Sequence, residues 1–294
     1  MLRRRPFLLY SLLFLGGCTV AQTTSRSQTD TDWPERLRFA VTDLSGLEDL
    51  EQDFGVFRQA LEEVLGIPVE FYPVENYSAA APALLENELD IAFAGPSEYL
   101  ILRARANAVP LIGITRPDYY SVVMTRIDSG INALADLKDK KIAMRTEGST
   151  AGHIMPMKLL QDAGVNPGEY EISMLNREGF EALQSGQVEA WTDSRDRYIE
   201  YVKEPGLEGT EIQVIATSEN FPPDIFVVNP SLGDDFIEEL RTRLLDHKDM
   251  LMSALIASEA NQKYSNSELV VVQDMDYQPL RDSYYNIGQG SAIE

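Results

Sequence analysis

Sulfur and imidazole are nearly absent from this chain. Its 294 residues hold one cysteine, Cys18, and two histidines, His153 and His247. A single cysteine excludes a disulfide within the chain, and two distant histidines leave no zinc or iron site built on Cys or His. Neither a GxxxxGK[ST] phosphate loop nor an HExxH pair occurs, and no acidic loop has EF-hand spacing. No nucleophile–base pair stands out, so no catalytic residue, metal or cofactor is assigned and no enzyme is expected. Basic residues are also few. With 25 Lys and Arg against 47 Asp and Glu, the formal net charge is −22. That balance argues against nucleic acid and against an anionic membrane surface as direct partners. The longest apolar run, residues 7–15, is shorter than the roughly 20 residues a membrane helix needs.

That short run belongs to an N-terminal targeting pattern. Arg3, Arg4 and Arg5 precede it, and Leu15-Gly16-Gly17-Cys18-Thr19 follows. This resembles the lipobox of bacterial lipoproteins: a leucine, two small residues that fit a peptidase, then the cysteine to be lipidated. Residues 1–17 are then a signal peptide, and residues 18–34, rich in Thr, Ser, Gln and Asp, a lipidated flexible tether. Cleavage removes three arginines and no acid, which takes the net charge from −22 to −25. Two acyl chains on Cys18 suffice for stable anchoring. The expected product is a soluble body outside the cytoplasm, held to a membrane by its lipid.

From residue 37 the chain alternates strand-like and helix-like patterns. Strands are expected at residues 37–42, 69–74, 90–94, 109–115 and 119–125, with helices at 54–65, 78–88 and 97–106 between them. A second set follows: strands at 141–145, 170–175, 188–192, 211–217 and 224–228, with helices at 150–163, 178–185 and 195–203. A long helix closes it over residues 234–258, carrying Phe236, Leu240, Leu244, Met252 and Leu255 near one face. The fold class is α/β: two lobes, each a mostly parallel sheet flanked by helices. The first lobe is expected to comprise residues 35–122 and 225–294, the second residues 123–224.

Ligands of open α/β sheets bind beyond the carboxyl ends of the strands. Three segments lie there: Gly95-Pro96-Ser97-Glu98-Tyr99, Trp191-Thr192-Asp193-Ser194, and Glu147-Gly148-Ser149-Thr150-Ala151-Gly152-His153. The last places two hydroxyls at the start of a helix, where unpaired amides and the helix dipole favour an anion. Taken as residues alone, Ser149 and Thr150 fit a helix cap as well as an anion site.

At these segments the chain resembles the phosphonate/phosphite-binding lipoproteins of ABC importers, which are type II periplasmic binding proteins. The matching pieces run in order: residues 69–77, residues 89–99 with Asp90-Ile91-Ala92 and Gly95-Pro96, the connector through Asp136-Leu137-Lys138, Ser149–Pro156, and Asp274-Met275-Asp276-Tyr277. The resemblance implies capture of a tetrahedral phosphorus oxyanion between the lobes and its delivery to a membrane permease, by a monomer. Its implied binding residues are Ser149, Thr150, Ala151, Gly152 and His153 on the second lobe's loop, Tyr77 and Tyr99 on the first lobe, and the carboxylates Glu178 and Asp193. Ala151 replaces a hydroxyl residue usual in the family. The carboxylates, if they face the ligand, select protonated or amine-bearing anions, since a bare pair would repel a dianion. Two other readings remain open: a receptor for phosphate or a sulfonate, and an extracytoplasmic sensor of the same fold.

Overall fold

The computed structural model describes residues 33–44, 46–76, 79–176, 178–203 and 212–294. The signal peptide, Cys18, most of the tether and Tyr77 lie outside the described residues.

The first lobe opens with β1 (Leu37–Val41), α1 (Leu47–Leu65), β2 (Val69–Phe71), α2 (Ala80–Leu85), β3 (Ile91–Ala94), α3 (Pro96–Ala106) and β4 (Val109–Ile114). The chain then enters the second lobe through β5 (Ser121–Arg126) and β6 (Lys141–Met144). A turn of π-helix (Thr150–Ile154) runs straight into α4 (Met155–Asp162), followed by β7 (Glu171–Met174), α5 (Glu178–Gln184), β8 (Ala190–Ser194), α6 (Arg195–Val202) and β9 (Ile212–Thr217). It returns through β10 (Asp224–Val228), α7 (Asp234–Asp246), α8 (Lys248–Leu255), β11 (Leu269–Val270) and α9 (Gln278–Asn286).

The strands form two sheets, in the orders β11-β4-β10-β3-β1-β2 and β7-β6-β8-β5-β9. Both are mixed: β1, β2 and β3 are parallel neighbours in the first sheet and β6, β7 and β8 in the second, while β11 is antiparallel to β4. β5 is antiparallel to β8 and β9, and β10 is antiparallel to β3 and β4. Among the described residues, the chain changes sheets between β4 and β5 and again between β9 and β10. These links touch: the Phe221 amide donates to the Tyr119 carbonyl at 2.8 Å, and their rings meet edge to face at 4.9 Å.

The first sheet is buried on both faces. On one side α1 presents Leu50, Phe54, Phe57 and Leu61 at helical spacing to Phe39, Phe93 and Phe226 of the strands. Phe93 and Phe226 stack at 4.5 Å. Gly66, in the left-handed region at φ 73°, ends that helix. The other side holds Leu84, Leu100, Tyr99, Tyr277 and Tyr284. In the second sheet Trp191, Phe180 and Tyr201 form one core, while Met144, Ile154, Met157 and Leu160 face the opposite way.

Three expectations are corrected. The single helix over residues 234–258 is two, α7 and α8, broken at His247, whose φ of −113° lies outside the helical range. No glycine or proline marks that break; Leu251 and Leu255 must turn to reach the aromatic core beside α1. The helix expected to open at Thr150 opens as a π turn instead. The tether's last aromatic is also fastened down: Trp33 packs on Phe236 at 4.8 Å and under the Arg243 guanidinium at 4.1 Å.

Candidate functional site

The loop Glu147–His153 sits where β6 hands over to α4. Its carbonyls are pulled down onto the sheet: Ser121 Oγ donates to the Ala151 carbonyl at 2.6 Å, and Thr192 Oγ1 to the Gly152 carbonyl at 2.7 Å. Ser149 caps the turn from within, its hydroxyl accepting from the Gly152 amide at 3.3 Å and its carbonyl from the His153 and Ile154 amides. Among the described residues the Thr150 and Ala151 amides have no hydrogen-bond partner. They are the first amides of a run that continues through α4, and such groups point away from the helix.

Gly152 is fixed by a close approach. A Cβ there would stand 2.6 Å from Arg145 Cβ and 2.7 Å from its Cγ, so the Arg145 stem crosses the loop where only glycine leaves room. The guanidinium then reaches Asp193 at 3.5 Å. Parallel pairing of β6 with β8, Ala143 opposite Trp191, brings residues 145 and 193 to the same sheet edge. Asp193 is buried, and burial lifts its carboxyl above the usual range although Arg145 and the Ser194 amide, at 2.7 Å, pull the other way. Burial also opposes the charge on Arg145, and the Asp193 carboxylate outweighs it.

His153 is buried, and its Nδ1 accepts from the Gly148 amide at 3.0 Å. Burial lowers its pKa, with Glu147 opposing, so the ring is a neutral clamp on the loop rather than a cation. Thr150 is buried as well, and its hydroxyl accepts from the Ser97 amide at 3.1 Å. Ser97 belongs to the first turn of α3, so the two lobes meet helix start to helix start. Ser97 is 1 % exposed, and its own hydroxyl is buried without a partner among the described residues.

The remaining sequence-derived candidates are more scattered. Tyr99 points into the first lobe's core: its ring packs on Tyr277 at 4.6 Å and its hydroxyl donates to Asp274 Oδ1 at 2.6 Å. Glu178 is exposed at the start of α5. Asp193 is engaged by Arg145. Ser149, Thr150, Ala151, Gly152 and His153 are the residues brought together, in one turn.

Charged groups that sequence reasoning passed over border this meeting point. Arg116, in the first crossing link, donates to Asp196 of α6 at 2.7 Å and to Asp224 of β10 at 3.1 Å. It lies 3.5 Å from the Tyr119 ring centroid, and Tyr264 donates its hydroxyl to the same Asp224 at 2.7 Å. Lys263 keeps solvent contact but is crowded by protein, which lowers its pKa, with Asp43 acting against that. The signal for Arg145 was available, since it directly follows a buried strand. Nothing local marks Arg116 or Lys263.

Residues 39–277 match the model of a family described as the periplasmic substrate-binding protein of phosphonate ABC transporters. The chain belongs to that family. The phosphonate-binding family also supplies relatives of similar length. The phosphate-import protein PhnD of Mycolicibacterium smegmatis is 25 % identical over 236 residues, covering 74 % of this chain and 73 % of its own. The phosphonates-binding periplasmic protein of Escherichia coli is 22 % identical over 238 residues, covering 77 % and 70 %. Among solved structures, PhnD1 of Prochlorococcus marinus in complex with methylphosphonate superposes with a TM-score of 0.69 at 18 % identity, covering 87 % of this chain and all of that one. The match shows the two-lobed fold. Members of this family are transport binding proteins, placed outside the cytoplasm and paired with an ABC permease. No helix among the described residues is long and apolar enough to cross a membrane.

Proposed function

We propose that the chain captures a phosphonate or phosphite between its lobes and presents it to the permease of an ABC importer. The observation that carries this reading is the Thr150 loop: two unpartnered amides and a buried hydroxyl, set against the buried, unpaired Ser97 hydroxyl of the other lobe. Together these supply donors to a small tetrahedral anion without spending a lysine on it. Ser149, Gly152 and His153 shape the loop. Ala151 contributes its amide, and the side chain offers no hydroxyl. Tyr77 is kept as a proposed contact from the first lobe, whereas Tyr99, turned to Asp274, and the exposed Glu178 are given an indirect part.

The working cycle is closure about the two crossing links. Ligand on the second lobe draws the first lobe's α3 start over it, and the closed form docks on the permease. The family's members are transport binding proteins, and a receptor role is the reading for this chain. Cys18 is the proposed lipid attachment after removal of residues 1–17, and the working unit is a monomer. Labelled palmitate should be incorporated into the wild type and not into Cys18→Ser; a wild type that takes up no label would refute the anchor. Sedimentation at micromolar concentration should give one monomeric species.

A phosphate receptor is the second reading, favoured by the relative named for phosphate import. Calorimetric titration with methylphosphonate, phosphite, 2-aminoethylphosphonate, phosphate and sulfate separates the two. Tightest binding of a phosphonate or phosphite supports the proposal; preference for phosphate over both replaces it, and failure of all five removes it.

A further inference from the structure

Glu98 occupies a place the loop chemistry leaves unexplained. It lies in the first turn of α3, next to the Ser97 amide that reaches Thr150. Its carboxylate folds back over its own helix start, accepting from the Gly95 amide and from Thr42 Oγ1 at 3.4 Å. The cleft wall of the first lobe thus carries its own anion at the helix end where a ligand oxygen would otherwise be welcome. Gly95 makes room for it, because a Cβ there would stand 2.5 Å from Glu98 Oε2.

The surroundings of this carboxylate are mostly acidic. Asp43 follows β1, Asp224 opens β10, and Tyr119 faces it from the crossing link. Arg116 is committed to Asp196 and Asp224, while the Lys263 ammonium lies 5.2 Å from the Tyr264 ring centroid and forms no ion pair among the described residues. No ion pair to Glu98 exists among the described residues. Burial first, then Asp43 and Asp224, push its carboxyl up to about 7 against the pull of the Gly95 amide and Thr42. A doubly negative ligand brought onto the Thr150 loop adds a further like charge to this wall.

We propose that capture of a phosphorus oxyanion protonates Glu98, so that the first lobe meets the ligand with a neutral carboxylic acid that donates a hydrogen bond to one ligand oxygen. The inference rests on the proposed oxyanion function. One proton moves from solvent to a Glu98 oxygen, and no other bond changes. A carboxylate that would repel the ligand becomes a donor, and binding tightens as the pH falls towards the group's own range.

Titration calorimetry of the full mature chain with methylphosphonate tests this, at matched pH near 8 in buffers of different ionisation enthalpy, beside Glu98→Gln. The wild type should take up close to one proton more than the variant. Above pH 7 its Kd should weaken by up to tenfold per pH unit relative to that of Glu98→Gln. The ligand's own protonation is common to both proteins and cancels. Equal proton uptake and parallel Kd–pH curves would overturn the proposal while leaving the oxyanion function standing; no binding of any phosphorus anion by the wild type would overturn both. Should the variant not fold, a difference infrared spectrum of the wild type with carbon-13-labelled glutamate decides. A protonated carboxyl band rising on ligand addition supports the proposal, and its absence refutes it.

Discussion

The amide of Ser97 donates to the hydroxyl of Thr150 across 53 residues of sequence, joining the start of α3 in one lobe to the start of the α4 run in the other at 3.1 Å. Both partners are buried, so the contact joins the lobes out of solvent, and its hydroxyl is also part of the proposed ligand site. Thr150→Ala removes the hydroxyl from both roles. A hydrogen bond to a charged partner contributes about 1.5–3 kcal/mol, so Kd for the preferred ligand should rise roughly 10- to 100-fold. Thr150→Ser should recover most of it, and titration calorimetry reads both. An unchanged Kd in Thr150→Ala would take the loop out of the binding site.

Gly152→Ala tests the loop by space rather than by donors. Its new methyl would meet the Arg145 stem at 2.6 Å, and the stem can move only by pulling the guanidinium from Asp193. Overpacking of this kind typically costs about 1–3 kcal/mol. Urea denaturation should show that loss, accompanied by weaker ligand binding. Wild-type stability in the variant would mean that the loop shifts freely.

Arg116 ties the lobes together through side chains 80 and 108 residues away, Asp196 and Asp224. Arg116→Met leaves Asp224 buried beside Tyr264 alone, and breaking such a pair costs about 3–5 kcal/mol. Asp196→Asn cuts only the arm to the second lobe, so it should spare stability and loosen closure. Small-angle scattering of ligand-saturated Asp196→Asn should give a larger radius of gyration than the wild type. The same compaction in both would assign the bridge no role in closure.

Two buried groups give stability a pH dependence of opposite sign. His153 has a lowered pKa when folded, so below its unfolded value the unfolded chain binds more protons and stability falls with pH. Glu98, raised to about 7 from 4.5, binds more protons when folded, so stability rises as pH falls through that interval. Denaturant midpoints from pH 8 to 5 should therefore drop less in His153→Asn than in the wild type, and more in Glu98→Gln. The reverse order would place the charges differently from the geometry described.

The alternation of strands and helices, the two sheets and the helix start at Thr150 were all legible because they are written in neighbouring residues. A buried strand shows its apolar run, and a helix start shows its hydroxyl and glycine within a few positions. The break at His247 was not legible, since it follows from where Leu251 and Leu255 must pack rather than from any helix-stopping residue. Tyr99 carried a motif position, yet its side chain turns inward to Asp274 because α3 offers that face to α9 and not to the cleft.

By itself the sequence determined an α/β chain with a glycine-bracketed, hydroxyl-bearing helix start and a large acidic excess. Only the tertiary structure decided what faces that start. Ser97, Glu98 and Arg116 acquire their roles from partners far along the chain, and local periodicity carries no record of which loops two folded sheets bring edge to edge. The charge of a site depends on such long-range pairing: Arg145 is balanced by Asp193, Arg116 by Asp196 and Asp224, and Glu98 is left for a proton.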